Sequence, residues 1–398
     1  MSKTWKIYIL ALLSFLVGTS EFIIAGILDK ISNSMDISLV AAGQLITVFS
    51  LVYAIGTPII MALTSGWNRR KLLLYALGLF VIANGLAFVM PGFGLFVSAR
   101  VLMALGAGVV VVTSLSIAAM IAPQGRQASA IATVIMGFTA SLIVGVPLGR
   151  MIAASYDWKM VFGGIGALGL LAMVVIALTI PSLQGEAAIP LRKQLALLKN
   201  PKIAMALSVS FFWLGGYSIA YTYISPYLVT ITGMGEKTLS TALFAFGIAS
   251  LIGSKLGGYS TDRWGVKRTL TSGMLLHVIT LILLTLAAHS PSVVFPLLIL
   301  WSFAAWSSGP TQQYNLVTLA PESSGIMLSL NSSVMQLAMA AGAGVGGVVV
   351  GQISLASVTW IGAIGVGIAT VITILSFRRS SVRSKATSES SVEPLQRA

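Results

Sequence analysis

Residues 160–180 read MVFGGIGALGLLAMVVIALTI, an apolar run with no charged side chain, entered from Lys159 and left at Pro181. A helix needs about twenty apolar residues to cross a hydrocarbon layer of roughly 30 Å. Lipid offers the backbone no hydrogen-bond partner, so a crossing segment is a helix or a strand of a closed barrel. Barrel strands alternate every second residue, and this run does not. Similar runs lie near 7–28, 40–64, 72–90, 95–119, 129–154, 203–228, 239–258, 269–288, 294–318, 325–350 and 359–377. With 160–180 they make twelve expected spans, hence an all-α membrane protein. Hydrophobic residues make up 57% of the chain and charged residues 9%, which agrees. The first run is too long, and lacks the small-residue cleavage site, to be a removable leader. Cysteine is absent, which excludes disulfides and thiolate metal sites.

The net charge of +14 raises the question of nucleic acid, and the placement of the charges answers it. With the N-terminus in the cytoplasm, one side collects Lys3, Lys6, Arg69, Arg70, Lys71, Arg126, Arg192, Lys193, Lys199 and Lys202. Arg263, Lys267, Arg268, Arg378, Arg379, Arg383, Lys385 and Arg397 fall there too. The other side holds Lys30, Lys159 and Lys237, while Arg100, Arg150 and Lys255 lie within or at the edges of spans. This bias is the positive-inside rule, and it places both termini in the cytoplasm. The basic excess is topological, so the expected surroundings are a lipid bilayer and no nucleic acid.

The longest internal loop, 181–202, divides the chain between six spans and six spans. The expected units are a bundle over 1–180, a cytoplasmic linker over 181–202, a bundle over 203–377 and a disordered tail over 378–398. The bundles resemble each other at one offset. TSGWNRRK at 64–71 matches TDRWGVKR at 261–268, with Trp67 on Trp264 (264 − 67 = 197). The same offset carries Gly145 and Gly149 onto Gly342 and Gly346. Duplicated six-helix halves are a transporter architecture, with the solute site between the halves near the midplane.

Known families share these motifs. Gly258-x3-Asp262-Arg263-x-Gly265-x-Lys267-Arg268 is similar to the signature of the major facilitator superfamily between helices eight and nine. Arg100 with Gly106 and Gly108 resembles that superfamily's helix-four motif. Gly145-Val146-Pro147-Leu148-Gly149 resembles the antiporter motif of the drug:proton exporters, which Asp157-Trp158-Lys159 also fits. Trp306-Ser307, Pro310, Gln312, Gln313, Ala320-Pro321, Asn331 and Gln336 resemble the bacterial purine base and nucleoside efflux pumps. Sugar and arabinose efflux permeases share many of these features. The resemblance runs through all twelve spans and implies two pseudo-symmetric six-helix bundles working by alternating access in a bacterial cell membrane. One departure is that Ser65 and Gly66 replace the Asp and Arg of the signature in the first half, which weakens any charge-based latch there.

The ionisable residues support a reading of their own. Of ten acids, only Glu21 sits well inside a span. Such a carboxylate is costly in lipid and faces a cavity or a partner. Counting from the span ends at about 1.5 Å per residue, Glu21 and Arg100 lie at the same depth, roughly 8–10 Å in. That makes the pair candidates for proton coupling; a permanent ion pair, or a direct contact of Glu21 with solute, are the alternatives. The second half offers uncharged groups: Tyr217 and Tyr221 on one face of span seven, Trp301, Trp306 and Gln312 on span ten, Asn331 and Gln336 on span eleven. Tyr217, Tyr221, Trp306, Gln312, Asn331 and Gln336 are the candidate solute-binding residues, suited to a planar, neutral, hydrogen-bonding molecule. His277 and His289 read as structural or surface residues. Glycines of spans five and eleven, with Pro147, suit adjustable close packing. Gly145, Pro147, Gly149, Asp262 and Arg263 are the candidate gating residues, with Asp262 and Arg263 holding one end of the bundle together.

There is no HExxH, no paired membrane aspartate and no P-loop, so neither an enzyme nor an ATP-driven pump is expected, and no cofactor or metal. The expectation is a monomeric, proton-coupled exporter whose partners are protons and a small molecule such as a purine. Sugar or multidrug efflux, and a passive facilitator or importer, are the alternatives.

Overall fold

The computed structural model describes residues 3–64, 66–89, 92–123, 127–184, 196–320 and 324–392. Ser65, Arg126, Arg192, Lys193, Pro321 and Arg397, singled out above, lie outside the described residues, as does most of the linker.

Eleven helices among the described residues are long and apolar enough to cross a membrane. One of them, Glu236–Leu286, has 51 residues and is broken at Gly265 (φ 79°, ψ 162°). A side chain at that φ is strained, so the signature glycine is what turns the chain there. The break makes two crossings of one helix, and twelve in all. Spans one to six are Lys3–Gly26, Leu39–Leu63, Arg69–Val89, Phe93–Ile121, the segment from Gln127 to Ser155, and Lys159–Thr179. Span seven is Pro201–Thr222, spans eight and nine are the two arms of Glu236–Leu286, and spans ten to twelve are Pro291–Leu319, Ser324–Gln352 and Val358–Val392. A short helix, Leu28–Met35, follows span one and turns at Asp36 (φ 52°).

Local chemistry sets several helix ends. The Ser38 hydroxyl accepts from Ala41 N at 3.1 Å to start span two, and Asn200 accepts from Lys202 N at 3.0 Å ahead of Pro201. Pro147 has no N–H and its ring crowds the carbonyl of Ile143. Span five absorbs this with a π-helical turn, Ser141–Gly145. In span seven Pro226 follows a break at Tyr223, and another π turn, Tyr227–Ile231, comes after it. The last helix runs on through Val392. No Gly or Pro interrupts 378–392, and Pro394 comes only beyond it.

The sequence repeat is also a repeat in packing. A Cβ on Gly145 would meet Thr19 Oγ1 at 2.1 Å, and one on Gly149 would meet Ile23 Cδ1 at 2.3 Å, so span five lies tight on span one. A Cβ on Gly342 would meet Gly215 O at 2.4 Å, and one on Gly346 would meet Tyr223 Cε2 at 2.8 Å, so span eleven lies tight on span seven. Two seams join the halves. Span eleven meets span two where a Cβ on Gly347 would touch Gln44 Nε2 at 3.0 Å and one on Gly344 would touch Thr47 Oγ1 at 3.8 Å. Span five meets span eight where a Cβ on Gly247 would lie 2.4 Å from Ile143 Cα. These contacts lie toward the bundle end opposite the termini, which we call the far side.

Candidate functional site

Glu21 sits in the crossing of span one with 4% of its surface exposed. Its Oε1 accepts a hydrogen bond from Gln336 Nε2 of span eleven at 3.0 Å. Its Oε2 has no hydrogen-bond partner among the described residues. Arg100 of span four is wholly buried. Its Nη1 donates to Ser20 O at 2.7 Å, and the guanidinium lies over the Phe49 ring, 4.1 Å from its centroid. Equal depth does not bring Glu21 and Arg100 into an ion pair: the arginine is taken by the carbonyl one residue before the acid and by the aromatic ring.

Spans seven to ten build an aromatic cluster. Tyr217 stacks on Tyr221 with centroids 5.0 Å apart. It also meets Trp301 at 5.5 Å and the edge of Trp306 at 6.2 Å. Trp301 donates from Nε1 to His277 Nε2 at 2.8 Å. Asn331 Oδ1 and Gln336 Oε1 are buried polar atoms without hydrogen-bond partners among the described residues, and the Tyr217 hydroxyl interacts with the Trp306 indole. Buried polar groups are almost always paired, and unpaired ones occur elsewhere among the described residues too, as at Ser14, Ser50 and Ser114. Tyr217, Tyr221 and Trp306 thus come together, while Gln336 stands at Glu21 and Asn331 one turn from Met335, whose Sδ it contacts at 3.3 Å.

Gln312 is engaged in packing between spans. Its Nε2 donates to Ala206 O at 2.6 Å and to Ser210 Oγ at 3.0 Å, and Asn315 donates to its Oε1 at 3.4 Å. An amide so occupied braces span ten to span seven and keeps only acceptor capacity on its Oε1. His277, read as structural, is fully buried inside the aromatic cluster. A lone imidazole in an otherwise apolar span was the available signal. His289 is exposed, with Nδ1 3.2 Å from Ile231 O.

Sequence reading missed a second polar site altogether. Arg150 of span five is fully buried near the far side. Its Nη1 and Nη2 grip both carboxylate oxygens of Asp29, the latter at 2.8 Å. Its Nε and Nη2 reach Glu236 Oε2 and Oε1 at 3.1 and 3.0 Å. Nη1 also donates to Gly26 O and Ser225 Oγ, each at 3.1 Å. Lys30 Nζ lies 2.5 Å from Glu236 Oε1. The ion pairs among the described residues are confined to this cluster.

Of the gating candidates, Gly145, Pro147 and Gly149 form the packed, kinked contact with span one described above. Asp262 and Arg263 are exposed at the termini-bearing end. Arg263 Nη1 donates to Tyr259 OH at 3.2 Å, and Asp262 forms no ion pair among the described residues. In the first half, the corresponding loop is tied down: Asn68 donates to Ser182 Oγ at 2.5 Å and Arg69 N to Leu183 O at 2.8 Å.

The sequence profile described as Major Facilitator Superfamily matches residues 10–343 and 224–397. The chain is 65% identical over 377 residues to "Uncharacterized MFS-type transporter YbcL" of Bacillus subtilis (strain 168), covering 95% of this chain and 97% of that one. It is 27% identical over 357 residues to a "Probable sugar efflux transporter" of Helicobacter acinonychis (strain Sheeba), covering 90% and 91%. Among solved structures it is similar in fold to a D-xylose-proton symporter, with a TM-score of 0.78 at 18% identity, covering 94% of this chain and 97% of that one.

Proposed function

This chain belongs to the major facilitator superfamily, and on that premise we propose that it is a proton-coupled exporter of a small neutral solute. It is a multi-pass membrane transporter and not an enzyme. The observation that carries the finer reading is the bond from Gln336 to Glu21, which joins the two halves within the membrane-spanning helices. Any motion that parts span eleven from span one breaks it. The carboxylate then needs a new partner in a medium that penalises bare charge, and a proton is the simplest one. Protonation and separation of the halves are therefore linked through one side chain. Arg100, close by but bonded elsewhere, sets the field in which Glu21 takes up its proton.

The solute binds against Tyr217, Tyr221 and Trp306, with the free oxygens of Asn331 and Gln336 as acceptors. Flat aromatic faces with uncharged hydrogen-bonding groups suit a purine base or nucleoside. A sugar is the second reading, favoured by the sugar efflux relative from Helicobacter. The placement of basic residues supports a bacterial cell membrane protein with both termini on the cytoplasmic side. One chain encloses the whole path, so a monomer suffices.

The deciding experiment uses purified protein in proteoliposomes with an imposed pH gradient. Movement of a radiolabelled purine against its concentration gradient, opposite to proton flow, is expected. Sugar accumulating in place of purine selects the second reading. Equal flux with and without the pH gradient overturns proton coupling.

A further inference from the structure

The ion cluster on the far side is divided unevenly between the halves. Asp29, Lys30 and Arg150 belong to the first half, and Glu236 and Ser225 to the second. Within the first half, Asp29 neutralises Arg150 through two parallel bonds, and Gly26 O takes a further one. Lys30 is then the surplus positive charge, and Glu236 supplies the matching negative charge from across the seam. The neighbouring Lys237 is exposed and forms no ion pair among the described residues.

This division has a mechanical consequence. Parting the halves at the far side removes Glu236 and Ser225 from Arg150, and takes the Ser225 hydroxyl from Asp29 Oδ1 and Gly26 O, but leaves Asp29 and Gly26 O on the same half as Arg150. A fully buried guanidinium stripped of every partner would be strongly destabilising. Here it keeps a bidentate carboxylate whichever way the halves lie. Asp29 is thus built as a permanent counter-ion and Glu236 as a removable one. The exposures agree: the Asp29 side chain is 14% exposed and that of Glu236 44%.

We infer that Glu236, docking on Arg150 and Lys30, is the moving element of the far-side gate of this transporter, and that Arg150 and Asp29 are its fixed receptor. Glu236 opens the span eight arm, and about three turns further along the same arm Gly247 packs on Ile143 of span five. The gate assignment needs only that the chain is an alternating-access transporter. It does not depend on the solute, on proton coupling or on the direction of transport.

The chain contains no cysteine, so Thr47→Cys, placed on the span two face that meets Gly344, is the sole thiol. Its labelling by a membrane-impermeant maleimide, added from the far side without solute or pH gradient, reports opening of that side. Glu236→Gln should speed labelling about fivefold, the scale of one partly exposed charged contact. Glu236→Asp should stay near the parental rate. Gly247→Trp, which wedges the seam by steric force, shows that the reporter responds. Asp29→Asn should instead reduce the yield of folded protein, because it leaves Arg150 without its permanent partner. An unchanged rate in Glu236→Gln alongside a raised rate in Gly247→Trp overturns the gate. Asp29→Asn that folds in full yield and labels as fast as Glu236→Gln overturns the division of roles. Since no flux is measured, failure here is separate from failure of the exporter reading.

Discussion

Gln336 donates to Glu21 across 315 residues of sequence and across the boundary between the two halves. The first half contributes the charge and the second half contributes the neutral group that holds it. A carboxylate carried entirely by one half has no reason to sense the position of the other. Bound in this way, it does. The far-side cluster repeats the arrangement with its own acid, Glu236, reaching from the second half to cations of the first.

Glu21→Gln keeps the side chain's size and its bond capacity but removes its titration. Uphill, pH-driven export in proteoliposomes should fall to background, while downhill exchange of labelled for unlabelled solute persists. Gln336→Ala retains the acid and removes its partner, so coupling should weaken about tenfold and not vanish. Full pH-driven accumulation by Glu21→Gln would make the acid structural.

Gln312 and Asn331 should separate stability from recognition. Gln312→Ala strands Ala206 O and Ser210 in the packing between spans seven and ten, at a cost of about 1–3 kcal/mol. Its thermal midpoint in detergent should drop while the preference among purines and sugars is unchanged. Asn331→Ala should do the opposite, altering solute preference with little change in midpoint. A shifted solute preference in Gln312→Ala with an unchanged midpoint would return Gln312 to the binding site.

Adjacent glycines make a controlled pair. A Cβ on Gly257 would lie 2.1 Å from Ser307 O, backbone that cannot swing aside, whereas one on Gly258 meets nothing within 4 Å. Gly257→Ala should lose several kcal/mol or fail to insert, since overpacking of a close helix contact typically costs about 1–3 kcal/mol and more against backbone. Gly258→Ala should keep the parental midpoint. Equal midpoints for the two variants, measured side by side, would contradict the packing described here.

How much of this was legible in the sequence depends on which forces were at work. Span positions were, because lipid imposes length and apolarity: the run at 160–180 is the helix Lys159–Thr179. The repeat was too, since Gly145 and Gly342 serve the same close approach in both halves. Helix rotation was not. Lipid-facing and core-facing surfaces are both apolar here, so no polar stripe reveals which way Glu21 or Arg100 points. Depth alone paired these two, and rotation gave Arg100 to Ser20 O and Phe49 instead. The Arg150 cluster was hidden for another reason. Its acids sit 121 and 86 residues away in what read as ordinary surface loops. Only the short helix Leu28–Met35 and the break in span seven turn Asp29 and Ser225 inward.

Asp262 lies just before the break at Gly265 between spans eight and nine. It is exposed, without an ion pair among the described residues, in an arrangement whose described seams lie toward the far side. A surface carboxylate with no partner contributes little to the state in which it is seen. Asp262→Asn should therefore leave the thermal midpoint within experimental scatter. If Asp262 finds its partner when the termini-bearing end closes, the same substitution should slow the full transport cycle by about tenfold or more, as loss of a charge-assisted contact does. The first-half loop carries serine at the matching position 65, so Ser65→Ala should be mild in the same flux assay. Equal flux losses in Asp262→Asn and Ser65→Ala, at matched protein levels, would show that the two loops contribute alike and that the acid has no special role in closing that end.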